Sequence, residues 1–279
     1  VAGLDLEINK YRDLGGTKLD LITNDVATVN TATNDKPSLY GGYTHWATMG
    51  YFARLNYAYD ERYLFEVSLR RNGSSRFIGD KRWATFPSFS LGWNIANEAF
   101  FAPLKQHVSM LKLRGSWGTL GNTEVRALYP WFLAQPVGTA NSQWVLNGER
   151  QNTSNSPGLV SSSLTWERIE SWNLGLDFGA FNNRLQGQLD YFNRTTRDMV
   201  GPPAPKPFTI GAGLPQVNNA TLVSKGWEAE LRWRDNIGKV NYGARLVLSD
   251  DIQTVTEYNN PTGSLGTWYS GKRVGEIWG

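Results

Sequence analysis

The sequence lacks cysteine altogether, has only two histidines, and contains no long apolar run. Without cysteine, a disulfide framework and a thiolate metal site are both excluded. A membrane-spanning helix needs about 18 consecutive apolar residues, so a helical membrane protein is excluded as well. The two histidines, His45 and His107, lie in different connections at opposite ends of the predicted strands. A histidine-based catalytic triad or metal pair within this chain is therefore not expected.

Other kinds of chemical site have little support. The formal charge is only +3 over 279 residues and the basic residues are scattered, so we expect no nucleic-acid partner. Gly211 and Gly213 precede Pro215 rather than a helix start, which argues against a phosphate-binding loop. The loop aspartates lack the spacing of a defined calcium site; they are Asp20, Asp25, Asp35, Asp250 and Asp251. We predict no enzymatic activity, no metal and no cofactor.

Alternate residues in eight strand-like segments are apolar or small, and none of them is charged. The segments span residues 51–59, 63–70, 88–95, 111–117, 172–178, 185–192, 227–233 and 240–248. On the apolar parity 34 positions carry no charge, whereas the 29 intervening positions carry eleven charges. Successive side chains of a strand point to opposite faces of a sheet. The pattern therefore predicts an all-β, antiparallel sheet with one apolar face and one polar face.

Aromatic residues at the ends of the apolar faces favour a membrane wall over a soluble sandwich, which also alternates. They are Tyr51, Tyr59, Tyr63, Trp93, Trp117, Trp172, Tyr191, Trp227 and Trp233. Amphipathic rings of this kind form the two girdles of a transmembrane β-barrel, where they sit at the level of the lipid headgroups. We therefore predict a transmembrane β-barrel segment, with the apolar parity facing lipid and the charged parity facing a lumen.

The predicted connections alternate between long and short, as expected for a barrel with long outer loops and short periplasmic turns. The long ones span residues 13–48, 71–85, 118–168 and 193–226, and the short ones span 60–62, 179–183 and 234–238. The connection from Ala96 to Ser109 is longer than the other short ones, and we expect one helical turn near Asn97–Phe101. An earlier strand is predicted at residues 2–8, while the pattern beyond Asp250 assigns no clear strand.

The two ends of the chain suggest an internal part of a longer protein. The chain begins with Val1 rather than methionine, and neither a charged n-region nor an apolar h-region opens it. We expect residues 1–279 to form part of one β-barrel domain. A signal peptide, a plug domain and the C-terminal strands are expected to lie outside this chain.

Several ordered motifs resemble the SusC/RagA-like TonB-dependent outer-membrane transporters. In chain order they are Tyr63–Phe77, Phe86–Trp93, Leu111–Gly118 with Gly121–Asn122, Leu189–Met199, Lys225–Glu228 and Gly275–Gly279. The resemblance spans nearly the whole chain, and motifs in a fixed order are more specific than any one alone. It implies about 9 to 11 strands of a larger, 22-stranded, plugged barrel, from the middle to late portion of that barrel.

The resemblance also implies a function and partners. Members of this family import bulky nutrients, usually an oligosaccharide (glycan oligomer) or a peptide, across the outer membrane of a Gram-negative bacterium. They work with a SusD-like surface lipoprotein that acts as a lid, and the TonB complex drives them through a segment absent from this chain. The expected surroundings are outer-membrane lipids, and a dimer of the transporter–lipoprotein pair is left open.

Eleven charged residues on the polar parity are the candidates for facing the lumen. They are Arg54, Glu66, Arg70, Lys112, Arg114, Asp177, Asp190, Glu228, Glu230, Arg232 and Arg245. Charged side chains in a plugged lumen need partners or water, so we favour pairing among themselves or with a plug over substrate contact for any one of them.

Six aromatic residues are the candidates for the extracellular loops. They are Trp83, Trp131, Phe132, Trp144, Phe208 and Trp268. Such rings can stack on sugars or pack against a lid, and they can also fold a loop onto itself. We favour the second interpretation, because compact loops are held together by their own side chains and the enrichment of tryptophan at interfaces is only a tendency.

Two rival functions stay open on the sequence alone. One is an outer-membrane barrel of another class, either an adhesin or a surface enzyme, although no catalytic cluster supports the enzyme. The other is a soluble all-β carbohydrate-binding module, which shares the alternation and the tryptophans. A module would bury the apolar parity against a second layer of protein, whereas a barrel would leave it uncovered.

Overall fold

The computed structural model describes residues 1–123, 125, 128–138, 144–204 and 206–277, with the backbone alone at Phe208. Nine long strands follow one another along the chain and form one sheet. They are β1 (Ala2–Thr17), β2 (Ser38–Tyr59), β3 (Tyr63–Ser74), β4 (Trp83–Asn94), β5 (Val108–Asn122), β6 (Glu167–Ala180), β7 (Leu185–Gly201), β8 (Val217–Ile237) and β9 (Val240–Tyr258). The predicted antiparallel all-β fold is confirmed.

Each strand pairs antiparallel with the next one along the chain, so the sheet contains no crossover. This holds even between β5 and β6, which lie side by side although residues 123–166 separate them. Two small two-stranded ladders, Val137–Gly138 with Thr153–Ser154 and Val145–Leu146 with Glu149–Arg150, lie within that connection. An up-and-down order of this kind is the topology of a barrel wall.

The register places the apolar parity of neighbouring strands on one face. Leu55 pairs with Val67, Val67 with Phe89, and Phe89 with Trp117. Within the described ranges this face has no second layer: Leu55 is 64% exposed and Leu174 is 56% exposed. A soluble sandwich would bury these side chains between two sheets about 10 Å apart, so the structure contradicts the carbohydrate-binding module.

The β2–β3 connection has the predicted bounds, whereas the β6–β7 connection spans 181–184 rather than 179–183 and the β8–β9 connection spans 238–239 rather than 234–238. The β2–β3 turn spans residues 60–62, with positive φ at Asp60 and Glu61, and Gly238 has a φ of 60° at the β8–β9 turn. Between β4 and β5 the chain forms two 3₁₀ helices, Ile95–Asn97 and Ala99–Leu104. The single helical turn predicted there is therefore a pair of short 3₁₀ segments.

The long connections are shorter than predicted, because the strands continue well past the apolar girdle. The first connection spans residues 18–37 rather than 13–48, and the last long one spans 202–216 rather than 193–226. Strand β9 also extends to Tyr258, beyond the end of the readable pattern. A membrane strand needs only about 9–11 residues. Beyond that length both faces meet water, so hydrogen bonding continues without the apolar alternation that sequence analysis detects.

The buried clusters lie at the long-loop end of the sheet. One contains Phe77, Phe86, Leu164 and Trp166, with the ring centroids of Phe77 and Trp166 5.6 Å apart. The other contains Ala220, Val255 and Tyr258, against which Trp268 packs. Within the described chain, no helix has the length and apolarity needed to cross a bilayer.

Candidate lumen face and outer rim

The register brings the eleven charged candidates to the face opposite the apolar one. One row of paired residues contains Arg114, Gly175, Asp190 and Glu228. The next row contains Lys112, Asp177, Gln188 and Glu230. Grooves of about 950 Å³ and 520 Å³ lie along this face; the first includes Arg54, Glu66 and Arg70, and the second includes Lys112 and Arg114.

Arg114 is the centre of the best-formed ion-pair cluster. Its Nε donates to both carboxylate oxygens of Asp177 at 3.0 Å, and its Nη2 donates to Asp177 and to Asp190, each at 2.9 Å. Gly175 makes room for this arrangement, since a Cβ there would lie 2.7 Å from Arg114 Cζ and from an Asp190 oxygen. Charge-assisted bonds from two sides fix the guanidinium in position.

Glu230 is the centre of a second cluster. It accepts hydrogen bonds from Arg245 Nε at 2.8 Å and Nη2 at 2.7 Å, and from Arg232 Nη2 at 3.1 Å. Arg70 donates to both oxygens of Asp5 at 2.9 Å. Arg54 approaches Glu66 only to 3.7 Å. Nine of the eleven candidates are thus engaged in ion pairs with one another or with Asp5.

Lys112 and Glu228 differ from the other nine. Across the part of the chain that the structure describes, neither forms an ion pair or a side-chain hydrogen bond. Lys112 stands in register between Asn94 and Asp177, and Glu228 stands between Asp190 and Ser249. These two side chains can therefore meet a further charged or polar group without losing an existing partner.

The loop aromatics fall into two groups. Trp131 and Trp268 fold their loops onto themselves: Trp131 contacts Tyr129 edge-on at 6.0 Å, and Trp268 contacts Tyr258 at 6.0 Å. Phe132 is 62% exposed and Trp144 is 83% exposed, so their rings offer surface at the rim. The side chain of the last candidate, Phe208, lies outside the described residues.

The placement of Trp83 in a loop was wrong. Trp83 is the first residue of β4 and pairs with Gly73. Its ring stacks on Tyr51 at 6.0 Å, and the guanidinium of Arg71 lies 5.9 Å from it. The strand extends to this residue because the β3–β4 ladder continues past the membrane level, so the ring lies at the outer edge of the apolar face.

A row of rings that was not predicted from the sequence lies on the extended part of β2. Tyr43 stacks on His45 at 5.5 Å, with Arg12 5.0 Å above the Tyr43 ring. Tyr129, from the long β5–β6 connection, lies 5.4 Å from His45 and donates a hydrogen bond to its backbone oxygen at 2.6 Å. Tyr43 and His45 continue the parity of Tyr51, which was the available signal, but residues 13–48 were read as a loop.

The opposite end of the sheet has a cluster around Glu98, which was also missed. Glu98 accepts hydrogen bonds from Trp93 Nε1 at 3.0 Å and from the Tyr63 hydroxyl at 2.7 Å, and Arg62 lies 3.7 Å away. The bond from Trp93, followed by the bond from Tyr63, holds the pKa of Glu98 below its ordinary value. The cluster ties the β2–β3 turn to the β4–β5 connection.

Nothing in the described ranges points to catalysis or a metal centre. No group of three His, Asp or Glu side chains among these residues is placed to hold a metal ion. Among the eleven candidates in the described ranges, the polar face presents nine charges in ion pairs and two without, together with open grooves, and this arrangement suits contact with a large polar surface.

Comparisons with known proteins agree with this architecture. The family described as TonB dependent receptor-like, beta-barrel, matches residues 2–277. TonB-dependent receptor SusC of Bacteroides thetaiotaomicron is 32% identical over 218 residues, which cover 76% of this chain and 20% of the relative. TonB-dependent receptor P26 of Formosa agariphila is 31% identical over 241 residues, covering 85% and 24%.

Solved structures agree on the fold. The RagAB peptide importer in its open-open state superposes with a TM-score of 0.77 at 24% identity, over 94% of this chain and 29% of that chain. The chain thus spans about a fifth to a quarter of the length of the curated relatives above. The family match agrees with the apolar face and with the up-and-down topology of the sheet. The chain therefore belongs to the TonB-dependent receptor family, as a portion of its outer-membrane β-barrel.

Proposed function

We propose that this chain is part of the barrel of an outer-membrane importer for a bulky polar nutrient, powered by TonB. The observation that carries the proposal is the continuous polar face with its grooves, on a sheet that belongs to this receptor family. Residues 1–279 contribute part of one barrel domain. The remaining strands, the plug and a TonB-contacting segment come from the rest of a full-length protein, as the partial coverage of the relatives supports.

The cargo is an oligosaccharide or a peptide. Both expose many hydrogen-bonding groups, and both fit a face on which most charges are already paired, because paired charges offer polar contacts without demanding a counter-ion. The exposed rings of Phe132 and Trp144 add apolar surface at the rim, which suits sugar faces as well as aromatic side chains. One of the proteins with a similar solved structure is a peptide importer.

A surface lipoprotein of the SusD-like type is the proposed lid. It would meet the barrel at the long-loop end, where the row from Arg12 through Tyr43 and His45 to Tyr129 stands above the apolar face. Affinity purification of the tagged full-length transporter from outer membranes should recover one lipoprotein in equal amount. Recovery of the transporter alone, under detergents that preserve other outer-membrane complexes, contradicts this partner.

Uptake by whole cells tests the transport function. Cells that express the full-length transporter should accumulate either labelled oligosaccharides or labelled peptides, and deletion of the gene or collapse of the proton-motive force should abolish that uptake. Unchanged uptake of both cargo classes after deletion contradicts the proposal. Binding without energy-dependent uptake would instead favour an adhesin.

Lys112 and Glu228 provide a residue-level test of the lumen face. The double variant Lys112→Gln, Glu228→Gln should lower uptake about tenfold at equal surface amount, because each charge makes a polar contact of about 0.7 kcal/mol with cargo or plug. The matched control Lys36→Gln, Glu61→Gln removes one cation and one carboxylate from exposed connections and should leave uptake unchanged. Equal uptake by both variants contradicts the role of this face.

A further inference from the structure

The outer, lipid-facing parity carries a group of cations just beyond the aromatic girdle on the long-loop side. We call Arg168, Arg197 and Lys225 the basic patch. Arg168 lies four residues from Trp172 on β6, and Lys225 lies two residues from Trp227 on β8, each on the parity of its tryptophan. Arg197 lies on β7 directly opposite Arg168 in the register. All three side chains are exposed.

The patch has too few counter-charges of its own. Like charges directly opposite each other on a sheet are destabilising, and Arg168 and Arg197 are such a pair. The nearby carboxylate, Glu170, already accepts a hydrogen bond from Trp117 Nε1 at 3.0 Å and lies 3.6 Å from Arg197. Neither Arg168 nor Lys225 forms an ion pair or hydrogen bond within the residues described.

Two neighbouring polar side chains, Asn193 and Asp250, do not offset the positive charge of the basic patch. Asn193, which pairs with both Trp172 and Lys225, has a buried side-chain oxygen with no hydrogen-bond partner in the described chain. Asp250 shares the outer parity and lies opposite Trp227, without an ion pair to Lys225 in the part of the chain described. The three cations of the basic patch therefore have two carboxylates nearby. Glu170 is already hydrogen-bonded to Trp117, and Asp250 forms no ion pair with Lys225 in the described ranges.

The height of the patch matches the headgroup layer. A strand rises about 3.3 Å per residue and tilts about 40° in such barrels. Lys225 therefore lies about 5 Å above the girdle and Arg168 about 10 Å above it. The polar layer of a bilayer extends roughly 5–8 Å beyond the hydrocarbon on each side, so Lys225 lies inside this layer and Arg168 lies just beyond its outer edge.

We propose that the basic patch binds the phosphate groups of lipopolysaccharide, the phosphorylated glycolipid of the outer leaflet. Long loops mark the external side of the membrane, and outward side chains at this height meet lipid headgroups. Two opposed guanidinium groups can each offer paired donors to a phosphate, which relieves their mutual repulsion. The proposal depends on the membrane placement of the barrel and not on the identity of the nutrient.

Lipid binding to the purified full-length transporter tests this directly. The transporter is delipidated and titrated in mixed micelles with lipid A, the phosphate-bearing anchor of lipopolysaccharide, and binding is measured by native mass spectrometry. The variant Arg168→Gln, Arg197→Gln, Lys225→Gln should bind about 100-fold more weakly, since each cation near an anionic headgroup contributes about one kcal/mol. The control Lys36→Gln, Arg150→Gln, Lys206→Gln removes three exposed loop cations and should bind like the unmodified protein.

Two further ligands identify what is recognised. Dephosphorylated lipid A should bind the unmodified protein as weakly as lipid A binds the patch variant, and inorganic phosphate should compete only at millimolar or higher concentration. Equal affinity for lipid A with and without phosphate, or equal affinity of the patch variant and the control, overturns the proposal. Tight binding of inorganic phosphate alone also overturns the proposal. A protein partner that copurifies with the transporter and covers the basic patch overturns it as well. Nutrient uptake is measured in a separate assay, so a failure of the transport proposal can be distinguished from a failure of the lipid-binding proposal.

Discussion

At the scale of single residues, what matters is which face of the sheet a side chain occupies. Leu55 and Asn56 are neighbours in the sequence, yet Leu55 pairs with Val67 on the apolar face and Asn56 pairs with Glu66 on the polar face. The same is true of Asn173 and Leu174 on β6, which pair with Ser116 and Gly115. Adjacent positions should therefore respond differently to the same substitution.

Arginine substitutions test this assignment in the full-length protein. Leu55→Arg and Leu174→Arg should each reduce the amount of folded barrel in the outer membrane, because an arginine near the bilayer midplane costs about 2–4 kcal/mol on the lipid side. Asn56→Arg and Asn173→Arg are the matched controls on the polar face. The amount of protein at the surface and its heat-modifiable migration on gels measure the outcome. Equal surface yields for all four variants would contradict the assignment of faces.

Glycine is required where backbones approach closely. At Gly226 a Cβ would lie 2.5 Å from the backbone oxygen of Asp250 and 2.7 Å from the Asp251 Cβ, and neither atom is the end of a flexible side chain. Gly226→Ala should destabilise the β8–β9 pairing by about 1–3 kcal/mol, the usual cost of overpacking. Gly213→Ala, where no atom lies within 4 Å of the added Cβ, should be nearly neutral. Urea unfolding of the two full-length variants to the same extent contradicts this requirement.

At the scale of elements, the connections at the two ends of the sheet have different structures. The short side is tied together by polar groups, with Glu98 bonded to Trp93 and Tyr63. The long-loop side is held by ring contacts, such as Phe86 against Trp166 at 5.5 Å. The Glu98 carboxylate titrates whereas phenyl and indole rings do not, so acid should weaken the Glu98 cluster and leave the contact between Phe86 and Trp166 unchanged.

Acid stability measures the Glu98 cluster. The folded-state pKa of Glu98 lies below its ordinary value of 4.5. Its contribution is therefore present above about pH 4.5 and is lost as the pH falls through the lowered folded value. The free energy of unfolding of the full-length barrel, measured from pH 7 to pH 3, should fall more steeply below pH 4.5 than that of the Glu98→Gln variant. Glu61→Gln, at an exposed carboxylate of the β2–β3 turn, should keep the steep profile. Parallel profiles for all three proteins contradict the assignment.

At the scale of the whole molecule, the sheet has two free edges. In the described ranges the outer edge of β1 has no strand partner, and the outer edge of β9 is bonded only near its end, where Val255 accepts from Gly271 and donates to Lys272, and Gln253 accepts from Val274. Unpaired backbone groups are costly in hydrocarbon. We therefore expect the closed barrel to need further strands against both edges.

Expression of residues 1–279 alone tests this. The isolated segment should fail to give a heat-modifiable band in outer membranes or in detergent, whereas the full-length transporter should give one. A folded, protease-resistant band from the isolated segment would show that these nine strands close without further partners. The full-length protein, treated in the same way, controls for the extraction conditions.

The alternation alone was sufficient to predict the two faces of the sheet and the approximate positions of the short turns. The predicted strands ended too early at Tyr43, His45 and Trp83, although these rings keep the parity of the apolar face, because the residues around them were assigned to loops. The lumen candidates were predictable as a set, since charge is excluded from the other parity. Their partners were not, because Asp177 and Asp190 are brought to Arg114 by pairing between strands that are up to 76 residues apart in the sequence.

The sequence by itself determined which side chains share the charge-free face, as expected where a bilayer excludes charge from one parity of a strand that crosses it. Only the tertiary structure decided which charges on the polar face are already paired and which, like Lys112 and Glu228, are not. It also decided that Arg168 and Arg197 oppose each other above the girdle. Register relates residues on different strands, and no pattern within a single strand contains that information.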